Sequence, residues 1–253
     1  MRDWLGCSGL AVTLALTGCV APDAHAPPFA RLPYAPLSRQ AAVAIALDEW
    51  RLWGSRVDNN PASFAPTDPA AIPERQDGFW QRVGEYWWEG QNAGEYAARY
   101  TGKYDAEGKL IPPADKGAYA WSAAFISYVM RIAGAGSAFP FAPAHATYID
   151  AAARGETPLL TAEDPAIYAP RIGDLVCFAR SWAAELRFKD LPTQGFFPAH
   201  CGIVTGGGPY EIDMIGGNVD NAVVLTQIAG LPGGLLSTAI FQWLVVLRVN
   251  YPS

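Results

Sequence analysis

The chain has 253 residues, of which 51% are hydrophobic and 17% charged, and its net charge is -6. That length supports one sizeable core, or one core with a small satellite, and the charged share lies below the ~25% usual for soluble domains. The acidic balance and the lack of any Lys/Arg cluster exclude the electrostatic footprint of a nucleic-acid binder.

The N-terminus reads "MRDWLGCSGLAVTLALTGCVAPDA". Arg2 supplies a minimal positive start, and Leu10 to Leu16 form an apolar stretch too short to span a bilayer as a mature helix. Residues 1–18 therefore read as an export signal. Leu16-Thr17-Gly18-Cys19 is similar to a bacterial lipobox, with Cys19 as the lipidated residue, and acyl chains there would hold the protein to a membrane surface rather than through it. Val20, not aspartate, follows the cysteine, which places the expected anchor in the outer membrane, facing the periplasm. Residues 19–37 are a proline-rich tether with polyproline character. His25 lies in it as a solvated residue.

A helical, aromatic-rich front half is expected over residues 38–110. Its first helix runs from Ser38, a capping residue, to about Val57. A second runs from about Glu74 to Tyr100, with Phe79, Val83, Tyr86, Trp87 and Gly90 near one face. That stripe is read as core rather than as a sugar platform. An α+β domain is expected over residues 111–253. "YAWSAAFISYVMRIAG" forms a helix that Gly134 and Gly136 end, and a short helix after Pro143 carries His145 and Tyr148. "DLVCFAR", "HCGIVT", "YEIDMIGG", "AVVLTQI" and "FQWLVVLRV" read as strands, with "GGGP" and "GGNVDN" as turns between them. Helices first and antiparallel strands second define an α+β fold.

Outside the tether only His145 and His200 remain. Ser122 stands at a helix start, His200 opens a strand, and Asn218 ends the next strand. A helix N-terminus offers unpaired N–H groups to an oxyanion. An imidazole on the adjacent strand can take a hydroxyl proton, and an amide behind it can fix the tautomer. Ser122, His200 and Asn218 are thus the candidate catalytic set. The plainer reading of Ser122 is a helix cap. His145, Tyr148 and Trp121 are candidate substrate contacts, with capping or packing as the alternative for His145. Cys177 and Cys201 lie on strands that can pair; a disulfide and two small buried hydrophobes are both open. No zinc or phosphate-loop pattern occurs, so no metal or other cofactor is expected.

"YAWSAAFISYVMRIAG", "AHATYIDAA", "IGDLVCFAR", "HCGIV" and "MIGGNVDNAV" together resemble the family known as domain of unknown function 2272, and "EWRLWG" and "VGEYWW" resemble its front half. More distantly the plan is similar to the papain-like cell-wall hydrolases, the NlpC-type endopeptidases and the CHAP amidohydrolases. That resemblance implies a papain-like core of helices packed on an antiparallel sheet. It places Ser122 where those enzymes have cysteine, His200 at their histidine and Asn218 at their polar orienter. It implies an envelope hydrolase of amide or peptide bonds, with peptidoglycan or a cell-wall peptide as partner. The alternative is a catalytically inactive cell-wall or protein-binding module on the same fold.

Overall fold

The computed structural model describes residues 35–59, 71–92, 94–112 and 119–252. The leader, Cys19, His25 and the tether up to residue 34 lie outside them. All described residues belong to one contact unit that begins at residue 34.

Helix α1 (Arg39–Leu52) starts where expected, with the Ser38 hydroxyl accepting the Ala41 N–H at 3.1 Å. It stops short of Val57 because Gly54 and Ser55 turn the chain with φ of 88° and 55°. Val57 instead forms an isolated bridge to Leu225 in the sheet. The single helix expected over residues 74–100 is three pieces: a 3-10 turn at Pro73–Arg75, helix α2 (Phe79–Gly90), and a 3-10 turn at Tyr96–Arg99. Gly78 and Gly94, with φ of 89° and 87°, make the breaks. The aromatic stripe lies in the core, where Val83, Tyr86 and Trp87 are buried.

Helix α3 (Ser122–Ile132) is buried from Ser122 through Met130. A Cβ at Gly90 would lie 2.4 Å from the Ala124 carbonyl oxygen, so glycine lets α2 meet α3 backbone to backbone. Gly134 (φ 95°) follows the end of α3, and α4 (His145–Ala153) starts after Pro143 as expected.

The sheet has six antiparallel strands in the order β1-β6-β2-β3-β4-β5. They are β1 (Leu160–Glu163), β2 (Leu175–Ala179), β3 (Ala199–Gly208), β4 (Glu211–Val219), β5 (Ala222–Ala229) and β6 (Trp243–Val249). Five were expected. β1 was not, because four half-buried residues carry too little alternation to be read. The glycine runs expected to be turns lie within strands instead: Gly206–Gly208 ends β3 and Gly216–Gly217 sits in β4, each beside a register shift. The turn between β4 and β5 is Asp220-Asn221, both at positive φ (48° and 62°), as two-residue hairpins favour.

Alternate residues divide between two clusters. Leu175, Cys177, Cys201, Ile203 and Leu247 join the helices in the large core. Val176, Val204, Met214 and Val246 form a smaller cluster on the other face. The large core draws on α1, α2, α3 and the sheet together, so residues 38–110 and 111–253 share one interior. The α+β class and the packing of N-terminal helices on an antiparallel sheet agree with the expectation. Cys177 and Cys201 stand directly opposite each other on β2 and β3 and are joined as a disulfide, which resolves the alternatives left by the sequence.

One carboxylate ties the three front helices. Glu49, buried on α1, accepts from Arg82 Nε at 2.9 Å, from Tyr86 Oη at 2.5 Å and from Tyr128 Oη at 3.1 Å, and Arg82 Nη2 makes a second, close contact with it. Arg82 also donates to Tyr128 Oη at 2.8 Å. Burial together with the Glu49 charge pushes both phenols well up, so they stay protonated donors. Replacing one partner strands the other charge. Arg82→Met should cost about 3 kcal/mol in urea unfolding, and adding Glu49→Gln should recover part of that loss.

Candidate functional site

Ser122 does not cap its helix. The N-cap position is Trp121, no side chain caps there, and Ser122 is the first helical residue. Its hydroxyl meets His145 Nε2 at 2.7 Å. The other ring nitrogen, Nδ1, is in close hydrogen-bond contact with Tyr148 Oη, one helical turn along α4. The three side chains form a line, Ser122–His145–Tyr148, that joins the start of α3 to the start of α4. All are buried: Ser122 and His145 are 4% exposed and Tyr148 0%.

Two proton arrangements fit a neutral imidazole. In one, Ser122 donates to Nε2 and Nδ1–H donates to Tyr148 Oη. In the other, Tyr148 donates to Nδ1 and Nε2–H donates to Ser122 Oγ. Only the first points the serine proton at a base. Burial, followed by the nearby His200 and then Arg180, holds the His145 pKa well below its ordinary value. Burial also raises the Tyr148 pKa, so the phenol keeps its proton.

His200 lies beside this line without joining it. Its ring centroid is 5.6 Å from that of His145 and 5.4 Å from that of Phe178. The ladder between β3 and β4 stops at Ile203↔Ile215, before His200 is reached. A Cβ at Gly216 would fall 2.7 Å from His200 Nε2, and one at Gly217 would strike Phe125 and Trp121 at 2.5 and 2.8 Å. The two glycines therefore let β4 pass close to the imidazole and to α3. His200 Nε2 is buried without a hydrogen-bond partner. Burial first, then Arg180, pushes the His200 pKa down to about 3.

The expected set of Ser122, His200 and Asn218 is thus arranged differently from the expectation. The histidine that bonds Ser122 is His145, expected to meet substrate. His200 and Asn218 line one cavity of about 190 Å³, but no hydrogen bond joins them, and Asn218 sits in the left-handed region (φ 57°). Tyr148, also expected at substrate, bonds His145 instead. Trp121 is stacked between Trp53 and Tyr86, with centroids 5.5 Å away on each side, and its Nε1 donates to Glu74 at 2.6 Å. Its indole supports the helix start rather than a surface. Asp174, just before β2, accepts from Tyr168 Oη, the Arg171 N–H and the Val249 N–H and so fixes the turn into that strand. Among the described residues no group of three or more His, Cys, Asp or Glu side chains is placed to hold a metal ion. Arg180, which lines the same cavity as His200, escaped the sequence reading because one arginine at a strand end carries no pattern of its own.

An α+β protein with a buried serine–histidine pair at a helix start is the class these features define. The family can be stated as well. Residues 74–249 match the family described as "Uncharacterized protein conserved in bacteria (DUF2272)", and the chain belongs to it. No curated protein and no solved structure matches the chain.

The two depressed imidazoles couple folding to pH. The unfolded chain protonates His200 near 6.5, the folded chain only near 3, so between these values the unfolded state binds the extra proton. His145 acts in the same direction. Stability contributed by keeping the rings neutral is present above about pH 6.5 and is lost as pH falls toward 3. The urea midpoint should drop across that window, and His200→Gln should flatten the drop relative to wild type.

Proposed function

We propose that the protein is an envelope hydrolase of amide or peptide bonds in peptidoglycan, with Ser122 as nucleophile and His145 as its base. The 2.7 Å contact between Ser122 Oγ and His145 Nε2 carries this reading. In the attack, Oγ bonds to the substrate carbonyl carbon while its proton passes to Nε2. The first-turn N–H groups of α3 face the developing oxyanion, and the proton leaves with the amine. Water then hydrolyses the ester by the same route. Tyr148 accepts from Nδ1–H and holds the tautomer that this step needs. The helix start packed beside an antiparallel sheet supports a papain-like plan with serine where cysteine is usual, the bonded histidine being His145 on α4 and not His200 near the start of β3.

A disulfide between Cys177 and Cys201 supports an oxidising compartment. With the lipobox-like Leu16-Thr17-Gly18-Cys19, it supports a lipoprotein held at the outer membrane and facing the periplasm. Cys19→Ser should abolish incorporation of labelled palmitate by the full chain.

A second reading has its own observation. Ser122 and His145 are almost fully buried, and no carboxylate bonds the ring. An imidazolium there would lack the charge partner that a serine hydrolase triad supplies. This favours a catalytically inactive cell-wall or protein-binding module. Purified peptidoglycan, incubated with protein and read by mass spectrometry, separates the two. The hydrolase reading expects products from wild type and a loss of at least about 100-fold in Ser122→Ala and His145→Ala, both still folded by circular dichroism. Sacculus binding with no products, or equal products from all three proteins, removes it.

A further inference from the structure

The cavity outside His200 has features that the serine–histidine pair does not use. Arg180 follows the last residue of β2, two residues beyond Phe178, and its backbone N–H donates to the Pro198 carbonyl at 2.8 Å. Phe178 pairs directly with His200 across the β2–β3 ladder, so Phe178, Arg180 and His200 share one neighbourhood on the smaller-cluster face of the sheet. Phe178 stacks on Phe241 with centroids 4.4 Å apart, and Met214 adds a further apolar wall.

Two polar groups in this cavity bond no other described side chain: the Arg180 guanidinium, which is exposed, and His200 Nε2, which is buried. Among the described residues Arg180 makes no ion pair and no hydrogen bond from its guanidinium, although acidic side chains outnumber Lys and Arg by 24 to 18. The one carboxylate in the lining, Asp220, already accepts from Arg56 at 2.7 Å. His200 is 3% exposed, and its Nε2 has no partner. Solvent meets the exposed guanidinium, whereas leaving the buried His200 nitrogen unmet costs about 1–3 kcal/mol, and such an orphan calls for a ligand, a water or a mechanism.

We propose that this cavity binds the free carboxylate at the end of a short peptide, with Arg180 as the anchoring cation and the wall of Phe178, Phe241 and Met214 receiving the terminal side chain. Guanidinium geometry matches a carboxylate, which accepts two parallel N–H bonds. At about 190 Å³ the cavity is smaller than the roughly 300–1,000 Å³ of sites that enclose a whole small molecule. It suits one small terminal residue and leaves the rest of the peptide outside. The Asn218 amide at the rim supplies a donor and an acceptor for the last peptide group. The His200 ring lines this cavity and lies 5.6 Å from the His145 ring between centroids, so the cavity and the serine–histidine pair flank one imidazole. The carboxylate site stands on its own geometry. Only the assignment of the peptide to the cell wall rests on the hydrolase reading.

Calorimetric titration of the full chain tests it with N-acetyl-D-alanyl-D-alanine, its L,L counterpart and the C-terminal amide of each. The free acid should bind at least about tenfold more tightly than its amide. Arg180→Ala should erase that preference, and Ser122→Ala should keep it. With only three histidines in the chain, the His200 ring signal is readily followed by NMR, and it should move on addition of the acid. Equal binding of acid and amide, no binding of either to folded protein, or a preference that survives in Arg180→Ala overturns the site. Preference for the D,D acid supports a cell-wall source, and preference for the L,L acid overturns that source. Carboxylate binding without cleavage of peptidoglycan keeps the site and removes the hydrolase reading, and cleavage without carboxylate preference does the reverse.

Discussion

Helix α3 is buried along nearly its whole length, and most of the architecture follows from that. A helix start leaves several N–H groups and any nearby polar side chain without intrahelical partners, and here they are largely shielded from water. The start of α4 is brought against the start of α3, so the Ser122 hydroxyl finds His145 and the ring finds Tyr148. The opposite flank is closed by aromatic rings, with Trp121 between Trp53 and Tyr86. Gly90 permits the close backbone crossing of α2 that completes the enclosure. Glu49, a carboxylate buried on α1, is met by a cation and two phenols.

The same burial sets the chemistry within reach. A thiol at position 122 would be partly ionised at neutral pH, whereas a hydroxyl depends wholly on its base. That base is neutral because it is dry and because a second imidazole and an arginine stand near it. Among the described residues no carboxylate bonds the ring. Proton transfer from Ser122 therefore needs the charge of a transition state to hold the imidazolium, with Tyr148 accepting behind it. In a binding protein the same line would be a rigid polar bolt between two helices.

The sheet contributes a second environment, separated from the first by one ring. The Cys177–Cys201 disulfide fastens β2 to β3 one residue away from the Phe178↔His200 pair. Gly216 and Gly217 let β4 approach the imidazole on one side and α3 on the other. His200 consequently touches the helix-side machinery through His145 and lines the outer cavity beside Arg180. A ligand in that cavity would alter the field at both histidines without meeting Ser122.

Much of this was legible in the residue order. Apolar spacing marked α1 and α3, the place after Pro143 marked α4, the aromatic stripe marked the buried face of α2, and five of six strands showed as β-branched runs between turn residues. Ser122, His145 and His200 stood out because histidines are few and one serine sits at the head of an apolar helix. Local chemistry also named Ser38 as a cap. Several features were not legible. Periodicity does not show that positive-φ glycines break residues 74–100 into three pieces, because one glycine inside an amphipathic run looks tolerable from sequence alone. Strand order says which residues can share a face, but not which imidazole reaches a hydroxyl on a helix. Ser122 bonds His145 rather than His200 because α4 docks head to head with α3, a contact between segments more than twenty residues apart. The sequence by itself determined the elements, the apolar faces and the short list of reactive side chains, since these follow from local propensity and pattern. Only tertiary packing decided the pairing of Ser122 with His145 and the isolation of His200, because both depend on which distant surfaces exclude water together.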